Sequence, residues 1–293
     1  MRLILSRKGF DSSAGGCPSP IFPDGSLYPL PIPDPLSTIP FNALEFAGEN
    51  IGSLVEDLTR RRHAGDEGAH LDPDMYRDAL ARERGWRPLL GQTGAAQGHL
   101  RRRGVTGGDL FLYFGLFRPV EKAGGQWHFV KGSPARHILW GWMAVGRVAA
   151  VDELEGNTLG WARYHPHFNL GPDANNTLYI SGDRAALPGQ GQSLPGAGIF
   201  PRLDERLVLT HPGSSRPSAW RLPKCLYPEP GREPLTYHTN RWRWEPDKED
   251  PATYCRLQSA ARGQEFVLDI DQYPGATEWL AGLIRKLGES WRQ

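Results

Sequence analysis

Sulfur is scarce in this chain: 293 residues carry three cysteines and three methionines. Cys17, Cys225 and Cys255 are odd in number and far apart, which excludes a disulfide framework and any CxxC zinc signature. A reduced, cytoplasmic protein is the expectation. Long apolar runs are missing too. Ile138 to Val145 is among the longest and falls well short of the ~20 residues that a bilayer demands, so no membrane partner is expected. Arg2 to Leu5 is too short for a secretory h-region and meets Arg7 and Lys8 at once. Neither sign of charge is in excess: 34 Lys and Arg face 33 Asp and Glu. A wide, non-specific nucleic-acid footprint needs more cations than that. There is no Walker A spacing, no GxSxG elbow and no Cys-His pair with a recognised signature.

Proline, glycine and aromatic residues are plentiful instead. Residues 6 to 35 alone hold seven prolines, four glycines and five serines. Glycine permits positive φ and proline forbids much else, so such a run is either a solvated crossing or a loop of one irregular shape. It follows a strand-like Met1 to Leu5. Apolar spacing predicts helices over Ala43 to Arg62 and, with Asp72 as N-cap before Pro73, over Asp72 to Glu83. A short helix from Thr93 or Gly94 should stop at Gly104. Strands are expected at Leu110 to Phe117, Trp127 to Lys131, His137 to Val151, Asn176 to Ser181, Arg206 to Thr210 and Gln264 to Ile270. A last helix should run through Ala276 to Trp291. With no repeat and no linker, the pattern predicts one α+β domain over residues 1–293, with a mixed central sheet, flanking helices and long Pro/Gly-rich loops.

Chemistry-bearing residues cluster in four places. The mouth of the opening loop supplies Arg7, Lys8, Asp11, Ser12 and Ser13 just past a strand end, where open α/β sheets place ligands and turns bind anions. "GQTGAAQGHL" offers Gln92, Gln97 and His99 beside small residues and a helix start suited to phosphate. "HPHF" places His165 and His167 two apart, and "HLDPD" adds His70 with Asp72 and Asp74. Two His and one carboxylate form the facial set of non-haem iron, so His165, His167 and His70 are candidate ligands for a divalent metal such as iron. Asp72 also has a capping role to fill. His137 is a candidate base ahead of the Trp140 and Trp142 strand, where a core histidine reads equally well. In "YHTNRWRW", Trp242 is the candidate stacking platform for a base.

Three stretches together, "LSRKGFDSSAGGCPSPIFPDGSLYPLPIP", "LGQTGAAQGHLRRRGVTGGDLFLYFGLFR" and "HILWGWMAVGRV", resemble the family called nucleotide modification associated domain 3 of bacteria and phages, over nearly the whole chain. The resemblance implies a part in DNA base hypermodification and raises the opening loop, Gln92, Gln97 and His99 as site elements. "GDLFLYFG" is also similar to the sheets of PUA-like base-reading domains. The leading expectation is therefore a nucleobase- or nucleotide-modifying enzyme with a nucleotide or nucleic acid as partner. Asp11, His99 and His137 would serve as catalytic groups, and Arg7, Lys8, Ser12, Ser13, Gln92, Gln97 and Trp242 as substrate contacts. Two other readings stand beside it: an iron-dependent oxygenase acting on a small molecule or peptide, and a PUA-like base reader without turnover.

Overall fold

The computed structural model describes residues 1–260, 263 and 265–292. Six strands carry the architecture: β1 (Arg2–Arg7), β2 (Leu89–Gln92), β3 (Leu110–Ala123), β4 (Arg136–Ala150), β5 (Thr177–Ser181) and β6 (Glu265–Asp269). Their order across the sheet is β6-β1-β3-β4-β5-β2. β1 runs parallel to β3 and every other pair in that path is antiparallel, so the sheet is mixed and the fold is α+β. Short strands at Ser19–Ile21, Gln126–Phe129, Ala197–Ile199 and Glu289–Ser290 extend it. Leu3 to Leu5 of β1 and Leu110 to Phe117 of β3 read as unbroken apolar runs because both faces are covered there, Gly115 apart. Leu3 to Leu5, Leu110 to Phe114 and Ile138 to Met143 form the centre of the main core, Gly141 apart.

The two ends of that strand path do not lie apart. Gln92 at the end of β2 donates through Nε2 to Oε1 of Glu265 at the start of β6, at 2.5 Å. The sheet therefore curls until its edge strands meet through side chains, and the polar seam at that meeting point is where the chemistry collects.

The opening loop is built into the fold rather than left in solvent. Lys8 N–H donates to the Phe114 carbonyl, Phe10 N–H to Leu30, and Leu27 N–H to Pro201. The Ser19 hydroxyl accepts Leu30 N–H. Phe10, Tyr28 and Leu30 join a second core with Ile51, Leu54, Val55 and Leu58 of α1 (Ile51–Thr59). Each such side chain contributes about 1.5–3 kcal/mol on burial. At Gly15, φ is +79° and a Cβ would lie 2.4 Å from the Phe10 ring, so only glycine closes this turn.

Three helices differ from expectation. α1 starts at Ile51, not Ala43, because a 3-10 turn at Phe41–Ala43 and a hairpin at Glu45–Asn50 come first, and the Asn50 side chain caps Ser53 N–H. No helix forms over Asp72 to Glu83 beyond one 3-10 turn at Arg77–Ala79. This segment lies along the free edge of β2, where Asp74 and Leu89 exchange both backbone hydrogen bonds and the Asp72 carboxylate accepts Gly91 N–H. Its polar groups are spent sideways on a strand, which leaves none for a helix. α2 (Gly94–Arg102) forms as the sequence predicts; α3 (Ala276–Leu287) stops before Gly288, and Glu289–Ser290 turns into the sheet. The expected strand at Arg206 to Thr210 is a 3-10 turn at Glu205–Leu207 followed by bridges at Val208 and Thr210. Gln264 lies outside the described residues.

Candidate functional site

Four separate parts of the chain deliver ionisable side chains to the end of the curled sheet. β1 delivers Ser6 and, one residue beyond it, Lys8; β6 delivers Glu265; the edge segment brings His70 and Asp72; and the 3-10 turn Pro166–Asn169 brings His165 and His167. Almost none of this is exposed. Side-chain exposure is 9% at Lys8, 5% at Asp72, 4% at His167, 1% at Glu265 and nil at His165, while His70 keeps 18% and marks the side open to solvent.

Glu265 is held through one oxygen. Oε1 accepts Ser6 Oγ at 3.0 Å and Gln92 Nε2, and pairs with Lys8 Nζ at 3.2 Å. Oε2 is buried with no hydrogen-bond partner among the described residues. Burial raises the Glu265 pKa above its ordinary value against the pull of Lys8 and Ser6. Asp72 goes the other way. Burial would raise it as well, yet His165, His70, Lys8 and His167 outweigh burial and hold it well below the usual carboxylate range. The charges of both carboxylates add to burial in raising Tyr113, which lies between them electrostatically.

The two oxygens of Asp72 have different company. Oδ1 accepts Gly91 N–H at 2.6 Å and lies 3.5 Å from His165 Nε2. Oδ2 faces Nε2 of His70 at 3.7 Å and Nε2 of His167 at 3.9 Å. Each of those rings is anchored from behind, His70 Nδ1 to Asp34 at 2.7 Å and His167 Nδ1 to Asn176 Oδ1 at 2.6 Å. Asn176 also donates through Nδ2 to the His167 carbonyl, which fixes the way its amide faces. The nearest ligand atoms of His70, Asp72 and His167 all lie within 4.8 Å of one another, a set able to hold a metal ion. Burial pushes His167 down to about 4. At His70 burial acts the same way, but Asp72 and Asp34 overcome it and the pKa rises.

The loops that carry these residues are latched to each other. Arg82 grips Asp74 with both terminal nitrogens at 2.7 Å, and Tyr164, next to His165, donates to the same carboxylate at 2.5 Å. Beyond Met75, Tyr76 and Ala79 opens a cavity of about 580 Å³. Those three residues also line the narrow space that reaches Asp72 and Trp140. Phe46, Tyr76 and Trp291 supply its aromatic walls, and Arg77 and Arg202 its cations.

The structure thus brings together His70, His165, His167, Lys8 and Gln92. The other candidates make their contacts elsewhere. Asp11 closes a turn on Ser13 and Ala14, and Ser12 and Ser13 are exposed. Arg7 is drawn to the Ala260 carbonyl and the Phe114 ring. Gln97 accepts the Tyr179 hydroxyl, and His99 pairs with Thr236. His137 accepts Trp220 Nε1–H in the core, where burial first and Arg7 second lower it to about 3. Trp242 is 71% exposed beside a separate groove of about 440 Å³. Two members of the group escape the sequence reading: Glu265, whose one signal is a lone acid opening an apolar strand, and Asp34, buried in the proline-rich run. Asp72 is read there both as a carboxylate beside the histidines and as a helix cap; it caps no helix and is the hub.

An α+β protein with a curled mixed sheet and a buried acid, amine and imidazole centre is the class that fold and site define. Residues 2–269 match the family model of nucleotide modification associated domain 3, so the chain belongs to that family. No curated protein and no solved structure matches it. Among the described residues no helix is long and apolar enough to cross a membrane.

Proposed function

We propose that this protein is an enzyme that modifies a nucleobase or nucleotide, working from the centre around Asp72. The observation that carries the reading is the convergence of Lys8, Asp72 and Glu265 with the buried His165 and His167, and with His70 at the open side. Taking each charge out of water costs several kcal/mol, an expense that folds keep where chemistry is done. Membership in a family named for its association with nucleotide modification supports a nucleobase or nucleotide as the substrate. In this reading Asp72, driven down, is the carboxylate that accepts a proton last, Glu265, driven up by burial, is the one that takes a proton first, and Lys8 sets the field between them; carboxylates driven apart in pKa are the mark of an acid–base pair. The 580 Å³ cavity is in the size range of small-ligand sites, its aromatic walls suit one base, free or flipped out of a strand, and its mixed lining of Arg77 and Arg202 with Glu45, Asp78 and Glu289 offers hydrogen-bond partners to a polar base edge.

The test is the nucleoside content of DNA and of the nucleotide pool from cells producing the wild type or Asp72→Asn, read by mass spectrometry. A nucleoside found with the wild type and missing with the variant is the expected result. Nucleic-acid binding with unchanged nucleosides would instead make this a base reader and overturn the reading.

A further inference from the structure

We infer that His70, Asp72 and His167 hold one divalent transition-metal ion through Nε2, Oδ2 and Nε2. The assignment starts from where the protons are. The Nδ1–H of His70 is taken by Asp34 and that of His167 by the carbonyl oxygen of Asn176, so in each ring Nε2 is the nitrogen turned inward, the atom that can offer a lone pair to a metal. Both Nε2 atoms face the same carboxylate oxygen, at 3.7 and 3.9 Å. Those gaps are too long for hydrogen bonds. Three such atoms turned toward one another offer a place for a cation, and nitrogen or oxygen ligands at about 2.0–2.2 Å from a metal lie roughly 3.0–3.4 Å apart. The ligand atoms, all within 4.8 Å of one another, draw together by side-chain movement to close the set.

The remaining neighbours are arranged as a supporting layer. Asp72 Oδ1 is occupied by Gly91 N–H, which leaves Oδ2 as the ligand atom. His165 is excluded as a ligand although it is the most buried of the three histidines. Its Nδ1 accepts His167 N–H at 3.4 Å, so its proton sits on Nε2, pointing toward Oδ1. That Nε2 is buried and without a hydrogen-bond partner among the described residues, a donor aimed at the centre. Two imidazoles and one carboxylate leave positions open for water or substrate, the donor set of iron(II) sites and of hydrolytic zinc alike.

The experiment is metal analysis of the full-length protein purified without chelator, followed by cobalt(II) titration of the stripped protein. About one equivalent per chain is expected, with visible d–d absorption. Asp72→Asn and His167→Ala, checked for folding by circular dichroism, should lose it, and His63→Gln should keep it. Asp34→Asn, which alters only the support behind His70, should weaken affinity about 10- to 100-fold. Folded wild type that takes up no cobalt, zinc or iron, or folded Asp72→Asn and His167→Ala proteins that bind like wild type, would overturn the assignment. The readout involves no nucleotide: metal uptake with unchanged nucleosides sinks only the enzymatic reading, and altered nucleosides without metal sink only this one.

Discussion

Gly91 shows how tightly the centre depends on single atoms. A Cβ there would lie 2.1 Å from Cδ2 of His167, a separation that no non-bonded carbon pair tolerates, so Gly91→Ala must displace the ring or the strand from its present seat. Overpacking of this kind costs about 1–3 kcal/mol. The expected outcome is a lower denaturation midpoint together with weakened cobalt binding; unchanged binding would mean that the ring is not seated on Gly91. At this scale much of the site is legible in the sequence. The spacing in HPHF and HLDPD points to His165, His167 and His70, and Lys8 follows from the polar mouth of the opening loop. Glu265 and Asp34 are not legible, since each becomes meaningful only when residues 259 positions away, in the case of Ser6, or 36 away, in the case of His70, come to it.

Among the elements, the segment from His70 to Arg87 departs furthest from its sequence signal. Asp72 before Pro73 carries the start signature of a helix, and the backbone instead follows the edge of β2, because pairing with Leu89 and Gly91 satisfies groups that a short isolated helix would leave open. What holds it there is the Arg82 latch. Arg82 binds Asp74 and the Tyr76 carbonyl, stacks on Trp86 at 4.5 Å and reaches the Tyr164 hydroxyl. Asp74 is 2% exposed, so Arg82→Ala leaves a buried carboxylate uncompensated, and a loss of about 3–5 kcal/mol in chemical denaturation is expected. Pairing Arg82→Met with Asp74→Leu removes that orphan charge and should recover much of the loss. A loss near zero for the single variant would show that the latch holds nothing. α1 begins eight residues past its expected start and β3 runs six past its expected end, while α2 and β4 are placed by periodicity to within two residues. Elements decided by a distant partner are not.

For the whole molecule, periodicity supplies strands but not their order, and the curl that brings β2 to β6 is the step that assembles the centre. The same interior sets a pH limit on the fold through two histidines remote from the Asp72 group. His137 spends Nδ1 on accepting Trp220 Nε1–H. His238 donates from Nδ1 to the Thr236 carbonyl and accepts Ala260 N–H at Nε2. Burial lowers them to about 3 and about 4 against 6.5 in an unfolded chain. The sign follows from which state binds the proton. Below pH 6.5 the unfolded chain takes up protons that the folded one refuses, so their contribution is complete above 6.5 and is lost as pH falls toward 4 and then 3. Each site adds a slope of up to about 1.4 kcal/mol per pH unit. Urea denaturation from pH 7 to pH 4 should therefore show stability falling steadily, and His238→Gln, though less stable at pH 7 for want of one hydrogen bond, should show a slope shallower by about one such increment. An identical slope in wild type and variant would mean that His238 takes up its proton in the folded state and that the interior around Phe266 and Trp220 yields to a charge.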